Sequence, residues 1–190
     1  AGGTWGLTIP AADLATLPDG AANVQASVSS VAGNNAQATH AYSVDATAPS
    51  VTINTIASDD ILNAAEAGSA LTISGTSTAE AGQTVTVTLN GVNYSGNVQA
   101  DGSWSVGIPA TNVSAWPVGA LTVDVAGQSS AGNPVSVSHP FTVDLTAVAI
   151  SINTVASDDV INAAEKGTDL TLSGSTSGIE SGQTVTVTFG

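Results

Sequence analysis

A unit of about one hundred residues is written almost twice into this chain. Trp5 recurs as Trp104, Pro10 as Pro109, Pro18 as Pro117, Asn34 as Asn133, His40 as His139 and Asp45 as Asp144, each time 99 residues on. The register holds through Asp59/Asp158, Asp60/Asp159, Asn63/Asn162, Glu66/Glu165 and Gly68/Gly167. It becomes 100 at Gly82/Gly182, where "TSTAEAG" is answered by "STSGIESG". A fixed period means one structural unit is reused, so the rules that fold one copy apply to the other. The expected organisation is the C-terminal half of a repeat at 1–44, a complete repeat at 45–143 and the N-terminal half of the next at 144–190.

Within the complete repeat the pattern is that of short strands. "TVTVTLN" (84–90) alternates strictly, with Val85, Val87 and Leu89 on one face and Thr84, Thr86 and Thr88 on the other. Asn90-Gly91 is a strong hairpin signal leading into "VNYSGNV", and Asp101-Gly102 turns the chain again into "SWSVGIP". With "VTINTIA" (51–57), "ALTISGT" (70–76), "GALTVDVAG" (119–127) and "PVSVSHPFTV" (134–143), seven strands fit in about one hundred residues. That spacing predicts an all-β fold: immunoglobulin-like β-sandwich repeats set end to end. The expected core is Val51, Ile53, Leu71, Ile73, Val85, Val87, Trp104, Val106, Leu121, Val123, Phe141 and Val143. In the flanking halves the same reasoning expects three strands in 1–44 and three in 148–190.

Charge narrows the function. Fifteen acidic side chains face one Lys or Arg, for a formal net charge of −14. Phosphate binding needs clustered basic residues, so nucleic acids and anionic membranes are excluded as partners. No run approaches the 18 apolar residues of a membrane span, and no basic stretch leads an apolar one as a signal peptide would. Cysteine is absent, which removes disulfides and thiol chemistry.

The acids are not scattered. "ASDDILNAAE" from Ala57 returns as "ASDDVINAAE" from Ala156, two aspartates ahead of a glutamate in each. Clustered carboxylates repel unless solvated or neutralised. Asp60 as N-cap of a short helical turn, with Gly68 as its C′ residue, accounts for Asp60 alone. Were the turn 3₁₀, Asp60, Asn63 and Glu66 would share a side. If the strands alternate up and down, this loop shares one end of the sandwich with Asp144, next to the following domain. That domain should present the Glu80 loop and the Asp101-Gly102 turn, or their equivalents. Calcium takes six to eight oxygens in flexible geometry and suits such a junction.

"DDILNAAE", the "VDATAP" linker, "DGSW" and "AGNNAQATHAYSVD" together resemble the tandem bacterial Ig-like repeats of giant RTX adhesins of the SiiE and LapA type. The resemblance covers the whole chain. It implies export by a type I secretion system, a Gram-negative cell-surface location, and a calcium-stiffened stalk that carries a binding region outward to host cells or surfaces. The ligands it implies are Asp59, Asp60, Glu66 and Asp144, then Asp158, Asp159 and Glu165, with Asp45 serving the preceding junction. Gly2 stands where the complete repeat has Asp101, and Lys166 adjoins Glu165.

Other constellations carry less. His40 and His139 occupy equivalent strand positions without a nearby nucleophile, which favours packing over catalysis. The acids repeat in loops rather than pairing in a cleft, against glycosidase chemistry. Trp5 and Trp104 read as core indoles, leaving Trp116, before Pro117, as the exposed candidate for a carbohydrate- or receptor-binding module. The favoured expectation is a non-enzymatic spacer.

Overall fold

The computed structural model describes residues 3–189, so Gly2 lies outside the described residues. Two compact units interleave along the chain. The first draws on the segment ending at Asn54, on Ser74–Val106 and on Asp124–Ser138. The second draws on Thr55–Ile73, Gly107–Val123 and the chain from His139 onward.

The described N-terminal residues form a short helix α1 (Ala11–Leu14) and the strands β1 (Gly20–Ser29) and β2 (Asn35–Val44). The strands pair antiparallel from Gly20↔Val44 to Ser29↔Asn35. The complete repeat then contributes β3 (Ile61–Asn63), helix α2 (Ala64–Ala67), β4 (Leu71–Thr76), β5 (Thr84–Leu89), β6 (Val92–Asn97), β7 (Ser103–Ile108), helix α3 (Ala110–Val113), β8 (Gly119–Gln128) and β9 (Pro134–Asp144). Two strands follow, β10 (Ala149–Ile152) and β11 (Gly174–Ser177). One sheet has the order β3-β9-β8-β5-β6 and another pairs β4 with β7. This is the all-β, immunoglobulin-like class that the strand spacing predicts.

Local chemistry explains the turns. β5 and β6 pair from Thr84↔Asn97 to Leu89↔Val92 around Asn90-Gly91. Both turn residues have positive φ, +48° and +76°, as the tight primed turn demands. Alternation then decides burial. Val85, Val87 and Leu89 of β5 are buried, with Trp104, Val106 and Ile108 of β7, Val123 and Val125 of β8, and Phe141 and Val143 of β9.

Four expectations are corrected. "VTINTIA" is not a regular strand: it has one bridge, Val51↔Ser77, and the bonds Thr52 N to Thr76 O and Asn54 N to Ser74 O. Val51, Ile53, Leu71 and Leu121 are half-buried rather than core. Trp5 is 78% exposed. Among the described residues the flanking halves form two strands each, not three. Residues 4–9 and 183–189 carry no strand, although their counterparts are β7 and β5. In the complete repeat β7 bonds to β4, and β5 lies between β8 and β6. A strand without such partners has nothing to satisfy its ladder of N–H and C=O groups.

Candidate functional site

The acidic loop begins with backbone that most residues avoid. Ala57, Ser58 and Asp60 have φ of +51°, +74° and +63°. Aspartate tolerates the left-handed region because its short carboxylate can bond locally. Asp60 Oδ1 accepts from Ile56 N at 2.8 Å, closing the bend on itself. The same oxygen lies 2.7 Å from His139 Nε2 of β9, which donates to it. These two contacts, the backbone one foremost, hold the Asp60 carboxyl below its ordinary pKa. Asp59 Oδ1 accepts from Ile61 N.

The chain then straightens. Ile61–Asn63 run parallel to β9, with Leu62 opposite Val143 and Asn63 opposite Asp144. Leu62 is fully buried and pins the strand. Asn63, not Asp60, is the N-cap of α2. Its Oδ1 accepts from Ala65 N and Glu66 N, while Glu66 Oε2 accepts from Asn63 N, a reciprocal capping box. Asp60, Asn63 and Glu66 therefore do not line one side of a 3₁₀ turn, since extended backbone separates the first two. Asp144 Oδ1 accepts from the Thr146 hydroxyl and from Thr146 N, the hydroxyl foremost in lowering its pKa.

The second copy shows how much of this is local. Asp159 Oδ1 accepts from Val155 N, Asp158 Oδ1 from Val160 N, and Asn162 with Glu165 rebuilds the capping box. Ala156, Ser157 and Asp159 repeat the positive φ. The ten-residue sequence thus fixes its own bend and cap without β3, which this copy lacks. Only the parallel pairing, and with it the approach to a linker aspartate, belongs to the complete repeat.

The remaining expected ligands sit elsewhere. Glu80 gives both oxygens to Ser130, one to the hydroxyl and one to the backbone N–H, and its pKa falls for that reason. Asp101 Oδ1 is held by the hydroxyl and N–H of Ser103 within its own turn, with the same effect. Asp45 Oδ1 accepts from Thr47 N, and Asn133 Nδ2 donates to Asp45 O and Thr47 O. Glu80 and Asp45 are therefore both tied to one turn, Ser130 to Asn133. The sequence reading missed Asp19. It accepts from Ala46 N through Oδ1 and from the Thr47 hydroxyl through Oδ2, and these lower its pKa, the hydroxyl foremost. The repeat gave no hint of it, because Val118 stands one period on.

Trp116 is corrected: it is 5% exposed and meets Phe141 edge-on, with centroids 5.9 Å apart, so it forms no surface platform. His40 is exposed and His139 half-buried, and the latter is a hydrogen-bond partner of the loop as well as a packing residue.

Asp59, Asp60, Glu66 and Asp144 each spend one oxygen on these orienting bonds and leave the other without a hydrogen-bond partner among the described residues. The donors are all hard oxygens, which is the chemistry calcium takes. Among the described residues no three His, Cys, Asp or Glu side chains form a group that could hold a metal ion. Backbone carbonyls complete the available donor set, since Asn63 Oδ1 already accepts from Ala65 N and Glu66 N. The depressed carboxyls set a sign for acid. A lowered folded pKa contributes stability that is complete above the unfolded value and lost as pH falls through the folded one. Glu80→Gln is therefore expected to lower the melting temperature most at neutral pH, with the gap closing below about pH 4; a gap that widens in acid contradicts this origin.

No protein-family model matches the chain, and no curated protein matches it. Solved structures do. One, of a Ca2+-stabilized adhesin that helps an Antarctic bacterium reach out and bind ice, is 36% identical over 90% of this chain and 43% of its own, with a TM-score of 0.48. A tetra-tandem repeat in the extending region of a large adhesion protein is 30% identical over 85% of this chain and 39% of its own, with a TM-score of 0.45. The chain thus spans less than half the length of each. A bacterial immunoglobulin-like domain from the M. primoryensis ice-binding adhesin is 39% identical over 52% of this chain and 100% of its own, with a TM-score of 0.41. The relationship rests on sequence identity rather than on superposition. An all-β, immunoglobulin-like unit is thus the class in hand. With the whole of that third domain matched at 39% identity, the chain belongs to the bacterial immunoglobulin-like domains.

Proposed function

We propose that this chain is a run of non-catalytic spacer repeats in a bacterial cell-surface adhesin, and that calcium stiffens the junctions between repeats. The observation that carries the reading is the parallel pairing that sets Asn63 opposite Asp144, which brings the acidic loop to the linker that leaves the repeat. A spacer works by reach, and reach is lost if each linker bends freely. Without a cation, the loop and linker carboxylates repel over the ~8 Å Debye length of physiological salt. With calcium, Asp59, Glu66 and Asp144 would supply their second oxygens while their existing hydrogen bonds hold them in place. Asn63, whose Oδ1 already accepts two backbone N–H groups, would keep the cap that orients Glu66. Asp60 and, in the next copy, Asp158, Asp159 and Glu165 belong to the same proposal, as does Asp45 at the preceding junction. Glu80 and Asp101 are weaker members, since their bonds lie within their own domain. The likeness to a Ca2+-stabilized adhesin and to an extending-region repeat supports the reading.

The proposal places the protein outside the cell, at a Gram-negative surface after type I secretion. Its partners are neighbouring repeats of the same chain, and a host surface or glycan bound through other regions. Nucleic acid and membrane insertion have no part in it. Scattering from a chain of several complete repeats tests it. A rod is expected in millimolar calcium and a broader, bent ensemble in chelator. Asp59→Asn keeps an oxygen for Ile61 N but removes the charge, so in calcium it should scatter like the chelated parent. Identical profiles with and without calcium reject the stiffening role.

A further inference from the structure

The linker into the complete repeat is bonded from both sides by the chain's own groups. On the preceding side β1 opens with Gly20 opposite Val44, which sets Asp19 beside the chain as it leaves β2. Asp19 Oδ1 accepts from Ala46 N at 2.9 Å, and its Oδ2 accepts from the Thr47 hydroxyl at 2.6 Å. On the following side Asn133 Nδ2 donates to Asp45 O at 3.0 Å and to Thr47 O at 3.2 Å. Ser50 N donates to Thr78 Oγ1, and Ser50 O accepts from the Ser77 hydroxyl and from Thr78 N. Backbone groups paired in this way do not need water. Pro49 fixes its own φ and biases Ala48 to extended backbone, which lowers the entropy lost in holding the segment.

The turn that receives the linker is shaped by its own sequence. Ser129 N donates to Asn133 O, Gly132 N to Ser129 O, and Asn133 N to Ser129 Oγ. One period earlier Ser30, Gly33 and Asn34 make the same three bonds. Glu80 braces the turn from outside through Ser130. The linker's shape is equally local: Thr47 N donates to Asp45 Oδ1, as Thr146 N does to Asp144 Oδ1. We propose that the turn at 129–133 is a docking site for an Asp-x-Thr linker, and that Asp19 locks linker 45–50 onto it without calcium. The second linker lacks this lock, because Val118 stands for Asp19 and Val148 for Pro49. The stiffening proposed above for calcium then falls on the junction after Asp144. The lock itself does not rest on that reading.

Amide hydrogen exchange of the full chain in chelator tests it. Ala46 should exchange more slowly than Leu145, its counterpart one period on, and adding calcium should leave Ala46 unchanged. Asp19→Val, which copies the residue of the second junction, removes a charged acceptor and should speed Ala46 about ten- to a hundredfold. Asn133→Asp keeps the backbone bonds of the turn but sets a carboxylate against two carbonyls, and should release Ala46 and Thr47 together. In both variants Gly132 and the amides of β5 should exchange as in the parent, which shows the fold intact. Ala46 that exchanges as fast as Leu145 in chelator overturns the proposal. So does protection gained only with calcium, or protection that survives either variant. The scattering test of calcium is a separate measurement, so each idea can fail alone.

Discussion

Trp104→Ala is expected to remove a large share of the stability of the complete repeat. The indole is 1% exposed, and burying a ring of this size takes about 150–250 Å² out of water. Deleting a buried tryptophan to alanine costs about 3–5 kcal/mol, because a cavity remains that the surroundings fill only in part. Collapse is obstructed here: Gly75 already sits against Thr52 O, so the strand cannot move inward. A domain of this size has about 5–15 kcal/mol to lose. Near 4–8 °C per kcal/mol, the melting temperature should fall by more than about 10 °C. Trp104→Phe separates packing from the hydrogen bond. It keeps a ring but no donor for Thr76 O, which still accepts from Thr52 N, so its loss should be nearer the ~1 kcal/mol of one bond plus modest misfit. Calorimetry reads both. A fall of only a few degrees for the alanine variant would mean that the indole is not the centre of the core.

What was legible in the sequence, and what was not, divides by range. The Asn90-Gly91 hairpin and the alternation of β5 are short-range facts, set by positive φ at two residues and by the two-residue period of a strand. Trp104 and the alternating valines were readable as core for the same reason. Leu62, buried, was passed over because it lies inside "ASDDILNAAE", acidic sequence that reads as loop, and Ile56, also buried, because two-residue alternation from Val51 and Ile53 puts it on the opposite face. Nothing local announces a three-residue strand whose partner is 81 residues away. His139 reads as packing until that pairing exists, for only then does Asp60 come within 2.7 Å of it. Trp116 misleads in the other direction. A tryptophan before proline suggests a loop tip, but α3 precedes it and its ring ends against Phe141. For the acids, the residue types and the clustering in one loop were legible. Their bonds were not: Asn63 in place of Asp60 as cap, and Glu80 occupied by Ser130, follow from backbone geometry.

Leu62→Ala is expected to separate the acidic loop from the domain that carries it. Leu62 is 0% exposed and is the middle residue of β3, the one strand that ties the loop to β9. Flanking it, Ile61 is exposed and Asn63 points its side chain at the α2 backbone, so neither replaces the anchor. The truncation should cost about 2–5 kcal/mol of global stability by loss of transfer energy and cavity formation. A three-residue strand has few bonds to hold it once its buried side chain is gone, so local opening should be cheaper still. The bend and cap do not depend on Leu62: Asp159 and the Asn162–Glu165 box form in a copy where β3 is missing. The loop should therefore keep its own shape while losing its position beside Asp144. If the proposed calcium site spans loop and linker, the variant should show a smaller rise in melting temperature on adding calcium than the parent, beyond its lower starting point. Ile61→Ala, an exposed neighbour in the same strand, should retain the full rise. A parent-sized calcium response in Leu62→Ala would place calcium in the loop alone and remove the linker from the site.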